Sequence, residues 1–203
     1  IKFFDANGMD LDKPAERKIE NTFFREDFRR VYLDEIGSIV VDEQSAQAYD
    51  DAFLHTVDIE AIRHAAFNVV IDYAHGSSSM VFPKFLRQLG CETVAINSSI
   101  DELRMFRTAS QFEQEMQQLA AITRTLKFDF GVRIDLGGEK MFLVDNTGRL
   151  LDRMVAFAAV ASMFLRQHPA EAIAAPVGVP MLFEQLAHQH HGRMIYTLSL
   201  IHI

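Results

Sequence analysis

The chain is short of several things, and each shortage narrows what it does. It has one cysteine, Cys91, in 203 residues, so no internal disulfide can form. A lone thiol fits a reducing, cytoplasmic setting better than a disulfide-built secreted scaffold. Basic residues are outnumbered, 20 Lys and Arg against 28 Asp and Glu, for a net charge of -8. Nucleic-acid binders concentrate Lys and Arg to meet phosphates, so the balance argues against that partner while leaving room for a local basic pocket. No apolar run reaches the ~20 residues that cross a bilayer, so no membrane role is expected. The longest, Val155 to Leu165, has the length of a buried helix. The first thirty residues are charged and mixed, without the apolar stretch of a secretory leader. Short-period repeats and low-complexity tracts are missing too.

What is present suffices for a globular core. The apolar share is 49% and the charged share 24%, ordinary values for a soluble protein of one or two domains. Cys91 follows the Gly90 turn and opens a strand, which reads as a small buried apolar residue rather than a nucleophile.

Periodicity sorts the chain into elements. Ile1 to Phe4 is strand-like, and Asp5-Ala-Asn-Gly8 is a turn. Pro14 to Arg30 reads as a helix with Ile19, Phe23, Phe24 and Phe28 on one stripe. Its arginines 25, 29 and 30, beside Glu26 and Asp27, read as a solvated face. A connector over Ile36 to Asp42 and a broken helical stretch over Gln44 to Arg63 follow. Then Asn68–Asp72, Met80–Leu89 and Thr93–Asn97 form a strand–helix–strand unit, which implies parallel neighbours. A helix over Ala109 to Thr125 leads to two strands around Val132–Ile134 and Met141–Val144. Past residue 151, a helix (Asp152–Gln167), a strand (Ala172–Ala175), a helix (Met181–Gln189) and a strand (Arg193–Tyr196) begin another α/β unit. If that unit is cut short, its first helix should carry an exposed apolar face. The fold class is therefore α/β.

Four groupings bear on chemistry. Asp135 and Glu139 share a loop with glycines 137 and 138 after a strand. Two acids so placed can hold a hard cation such as Mg²⁺, or form nothing more than a tight turn between paired strands. The loop His75-Gly-Ser-Ser-Ser79 precedes a helix, where free N–H groups favour an anion. A plain helix cap by Ser77 or Ser78 is the simpler reading, and the glycine spacing of phosphate-binding loops is lacking. His188 and His191 would share one helix face but have no acidic residue at a zinc-protease position, so they read as a polar helix end. Asp72 with His75 forms a candidate acid–base pair that lacks a matching nucleophile.

Asn68-Val-Val-Ile-Asp-Tyr-Ala-His-Gly76, the helix ending at Leu89-Gly90 and the stretch Phe128 to Gly148 together resemble the α-D-phosphohexomutases, the phosphomannomutases and phosphoglucomutases. The resemblance implies a three-layer α/β/α domain with a mixed sheet at 45–150. It implies the end of a preceding domain and linker at 1–44, and the truncated start of a third domain at 151–203, whose last six residues do not continue the family pattern. It implies an Mg²⁺-dependent transfer of phosphate between C1 and C6 of a hexose phosphate, with a serine loop upstream and a sugar-selecting loop downstream. Asp135 keeps the family's first metal-binding aspartate, Gly137 replaces the second, Glu139 stands for the third, and Lys140 stands for a catalytic arginine. Ile19 to Arg30 and Asp34-Glu-Ile-Gly37 also resemble the branch fused to mannose-1-phosphate guanylyltransferases, sugar nucleotidyltransferases in which the module has a degraded metal loop.

Overall fold

The computed structural model describes residues 3–27, 29–38, 40, 43–104 and 106–197. Contacts divide the chain into two units, Ile1–Glu43 and Gln44–Ile203. Ile1 and Lys2 of the expected first strand, Phe28 of the first helical stripe, three connector positions (39, 41 and 42) and the tail 198–203 lie outside the described residues.

In the first unit, Phe4 bridges Asp10 across the Asp5–Gly8 turn. Backbone N–H groups of Met9 and Asn7 hold the Asp5 carboxyl below its usual range. Helix α1 spans Lys13–Phe24, capped by Asp12 accepting from the Ala15 N–H at 2.8 Å. It stops six residues short of the expected Arg30, because Glu26 turns into the left-handed region at φ 53°. Arg30 then pairs with Glu26 at 3.0 Å and Arg29 with Glu35 at 3.5 Å, both on the surface.

The second unit begins with two helices, α2 (Glu43–Leu54) and α3 (Ile59–Ala65), the broken helical stretch of the sequence. Strands β1 (Asn68–Asp72), β2 (Glu92–Ile96), β3 (Phe130–Ile134) and β4 (Met141–Asp145) form one sheet in the order β2-β1-β3-β4. β1 runs parallel to β2 and β3, and β4 runs antiparallel to β3, so the sheet is mixed. Strand alternation divides the core. Val69, Ile71, Tyr73, Val132 and Ile134 pack under Phe82 and Leu86 of α4 (Ser78–Gln88). Val70 and Val144 pack under Met116 and Leu119 of α5 (Ala109–Leu126). The result is a three-layer α/β/α domain, and β1 is buried on both faces, which is why it reads as an unbroken apolar run.

Gly131 faces α5, where a Cβ would collide with the Thr123 hydroxyl and press on Leu119. α5 starts from a capping box between Thr108 and Gln111 and ends on Lys127 at φ 55°. A separate two-stranded parallel sheet pairs β5 (Ala172–Pro176) with β6 (Arg193–Thr197), beside α6 (Arg153–Gln167) and α7 (Leu182–Gln189). α6 carries the expected exposed apolar face, with Phe157, Val160 and Met163 each more than half exposed. The two histidines do not share a helix face. α7 ends at Gln189, His191 is left-handed at φ 59°, and His188 instead stands 4.0 Å from Glu184. No helix among the described residues is long and apolar enough to cross a membrane.

Candidate functional site

The sheet order sets where a ligand fits. From β1 the chain moves to β2 on one side, then crosses to β3 on the other. The carboxyl ends of β1 and β3 therefore lie side by side where the strand order reverses, and open α/β sheets take ligands outside the carboxyl ends of their strands at such a point. The loops that leave those two ends are residues 73–77 and 135–140.

Asp72 shapes the first loop. Its Oδ1 accepts from the Ala74 N–H and from the Asn97 side chain, both at 2.9 Å. Ala74 and His75 both lie in the left-handed region, at φ 51° and 62°. His75 is buried, with Nδ1 2.8 Å from the Ser99 carbonyl and its N–H on the Asn97 carbonyl at 2.9 Å. Asp72 and His75 thus do not form an acid–base pair, because each is committed elsewhere. Neither Ser77 nor Ser78 caps α4. Ser77 already has helical backbone angles, whereas a capping side chain needs an extended backbone. Ser79 closes the turn instead, donating to the Gly76 carbonyl at 2.9 Å.

The second loop is the tip of the β3–β4 hairpin. The Asp135 N–H donates to the Lys140 carbonyl at 3.0 Å, and the Asp135 carbonyl accepts from Gly138 at 3.0 Å. Its Oδ1 accepts from the N–H groups of Glu139 and Lys140, at 2.8 and 3.0 Å. Gly138 takes φ 70°, which a side chain would resist. The turn reading is therefore right about the backbone. Glu139 folds over the empty position beside it, so a Cβ on Gly137 would lie 3.7 Å from its carboxyl carbon. Lys140 is exposed. Among the described residues no group of three or more His, Cys, Asp or Glu is arranged to hold a metal ion. Mg²⁺ is commonly held by one or two carboxylates with waters and substrate phosphates, and hydrogen bonds orient such carboxylates. Asp135 with one oxygen pinned, next to Glu139, fits that sparse kind of site and not a protein-only cage.

The two loops touch at Gly76 and Leu136, and behind them runs a chain of buried and half-buried charges that the sequence did not announce. Arg133 reaches Asp72 with Nη1 and Glu115 of α5 with Nη2, the latter at 2.7 Å. Arg107 joins the other oxygen of Glu115 at 2.6 Å. The Arg133 guanidinium also lies 5.4 Å from the Phe112 ring centre. One sequence signal was available. An arginine between Val132 and Ile134, in a strand covered on both faces, has to find a partner.

A three-layer α/β/α domain with a mixed sheet and paired loops at its switch point is the class that fold and site define. Residues 47–148 match the model of the phosphoglucomutase/phosphomannomutase α/β/α domain II. The chain belongs to the phosphoglucomutase/phosphomannomutase family. It is 31% identical over 197 residues to a phosphoglucomutase/phosphomannomutase of Thermococcus kodakarensis, covering 97% of this chain and 43% of that protein. It is 28% identical over 189 residues to a phosphoglucosamine mutase of Methanocaldococcus jannaschii, covering 91% of this chain and 41% of that one. The chain thus spans less than half the length of these curated relatives. In fold it resembles Paramecium pp63/parafusin, a phosphoglucomutase, in its open form. The TM-score is 0.67 at 14% identity, over 97% of this chain and 41% of that one. A phosphoglucomutase/phosphomannomutase family protein of Burkholderia thailandensis gives a TM-score of 0.64 at 16% identity, over 93% and 40%.

Proposed function

We propose that this chain is part of a protein that moves a phosphoryl group within hexose phosphates, as phosphomannomutases and phosphoglucomutases do. The observation that carries this reading is the loop Asp135–Lys140, which keeps two acids and a cation at the switch-point edge of a family domain II. Asp135 and Glu139 would hold Mg²⁺, together with water and a phosphate oxygen. A bound Mg²⁺ stabilises charge on a phosphoryl group in transfer. The Glu139 and Lys140 N–H groups fix the Asp135 carboxylate, so its second oxygen is oriented before a ligand arrives. Lys140 would place one positive charge beside the phosphate, without the two-pronged grip of an arginine. A cytoplasmic location accords with this chemistry.

Gly137 favours a second reading. It offers no side-chain oxygen where a third acid would sit, which suits a non-catalytic sugar-phosphate-binding module of a mannose-1-phosphate guanylyltransferase fusion. The full-length protein separates the two. On the first reading it converts mannose-6-phosphate or glucose-6-phosphate in an Mg²⁺-dependent way, and Asp135→Ala lowers kcat by roughly 100-fold or more. Absence of turnover alongside intact nucleotidyl transfer would rule the first reading out.

A further inference from the structure

Arg133 stands two residues before Asp135, and Asp72 stands two residues before Ala74. The guanidinium that joins Asp72 to Glu115 therefore couples the stems of both loops to the first turns of α5. Asp72 passes the coupling on, because its other oxygen holds the Ala74 N–H and the Asn97 side chain, and Asn97 follows β2. Arg107 extends it into the segment that leads to α5. All three connections leaving the carboxyl edges of β1, β2 and β3 are thus keyed to one side chain. Stability is a poor reason for such an arrangement. Desolvation cancels most of the attraction in a buried ion pair, and apolar residues of equal volume serve as well. What apolar residues cannot do is fix direction, and a planar guanidinium does when one nitrogen is hydrogen-bonded to Asp72 and the other is ion-paired with Glu115.

We infer that Arg133 is a positioning residue for the Asp135–Lys140 loop, setting its place against the Ala74–Ser77 loop through Asp72 and Glu115. This rests on the reading of the 135–140 loop as the functional one. The test does not depend on turnover, so failure of the mutase reading would leave its result standing.

Hydrogen exchange is to be followed in the full-length protein for wild type, Arg133→Lys and Glu115→Gln. A lysine keeps the charge but has one nitrogen, so it cannot hold both carboxylates as the fork does. The expected result for Arg133→Lys is about tenfold faster exchange in segments 74–77 and 135–140, with protection in 69–71 and 116–123 unchanged. If that variant does not fold, Glu115→Gln decides by the same pattern at a smaller fold-change. Unchanged exchange in the two loops overturns the proposal. So does a loss of protection spread evenly over the sheet, which marks a residue that only fills the core.

Discussion

Gly76 and Leu136 meet so closely that a methyl group on Gly76 would lie 3.2 Å from the Leu136 Cα and 3.3 Å from its carbonyl oxygen. Both neighbours are backbone, so neither swings aside as a side chain would. The loop after β1 and the loop after β3 each limit where the other can go. Gly76→Ala should force a shift of a few tenths of an ångström and destabilise the protein by about 1 kcal/mol, the low end for overpacking. Thermal unfolding reads the cost and amide chemical shifts at 136–140 read the shift. A variant as stable as wild type, with unmoved shifts, would contradict the close fit.

Gly131 and Thr123 make a second tight pair. An alanine at 131 would drive its methyl into the Thr123 hydroxyl, which is itself bonded to the Leu119 carbonyl at 2.8 Å. Gly131→Ala should cost roughly 1–3 kcal/mol. Adding Thr123→Ala removes the obstacle, so the double variant should be more stable than the sum of the two single losses. A denaturant-unfolding cycle measures that coupling, expected at about 1 kcal/mol.

Tyr73 is buried beneath α4, and burial pushes its phenol up to about 12. The folded state therefore keeps a proton that the unfolded chain gives up near pH 10. Stability from this group is complete below about pH 10 and is lost as pH rises toward 12, by roughly 2–3 kcal/mol at most. Unfolding midpoints of wild type and Tyr73→Phe should fall in parallel up to about pH 10 and diverge above it, with wild type falling faster. Parallel curves throughout would show that Tyr73 ionises normally.

Lys127 ends α5 in the left-handed region at φ 55°. A side chain there is strained, and glycine at this position suits the helix stop. Lys127→Gly should stabilise the protein by about 0.5–1 kcal/mol despite removing a charge near a helix C-terminus. Chemical denaturation checks the sign.

Much of this fold could be read from the sequence, for identifiable reasons. β1 is an apolar run because both its faces are covered, and α4 and α5 show the periodicity of helices that bury one side. The strand pair around 135–140 was visible from its alternation and glycines, though the capping role of Asp135 was not. That role depends on N–H groups four and five residues later, which only the closed turn brings round. The end of α1 was missed because Glu26 adopts a backbone shape that its residue type does not signal. The ion chain was missed because its members lie far apart in sequence, 61 residues between Asp72 and Arg133, and pattern reading pairs neighbours.

The gap between α5 and the sheet is filled unevenly along the helix. At its C-terminal end, Gly131 lets the helix come down almost onto the strand at Thr123. At its N-terminal end, Arg133, Phe112 and Phe142 stand in the gap, the two rings 4.9 Å apart. The filling is therefore graded, from a glycine at one end to three large side chains at the rim where the loops emerge. Exchanging the residues at 131 and 133 would reverse that grading, driving a guanidinium against Thr123 and taking away the side chain that fills the rim end.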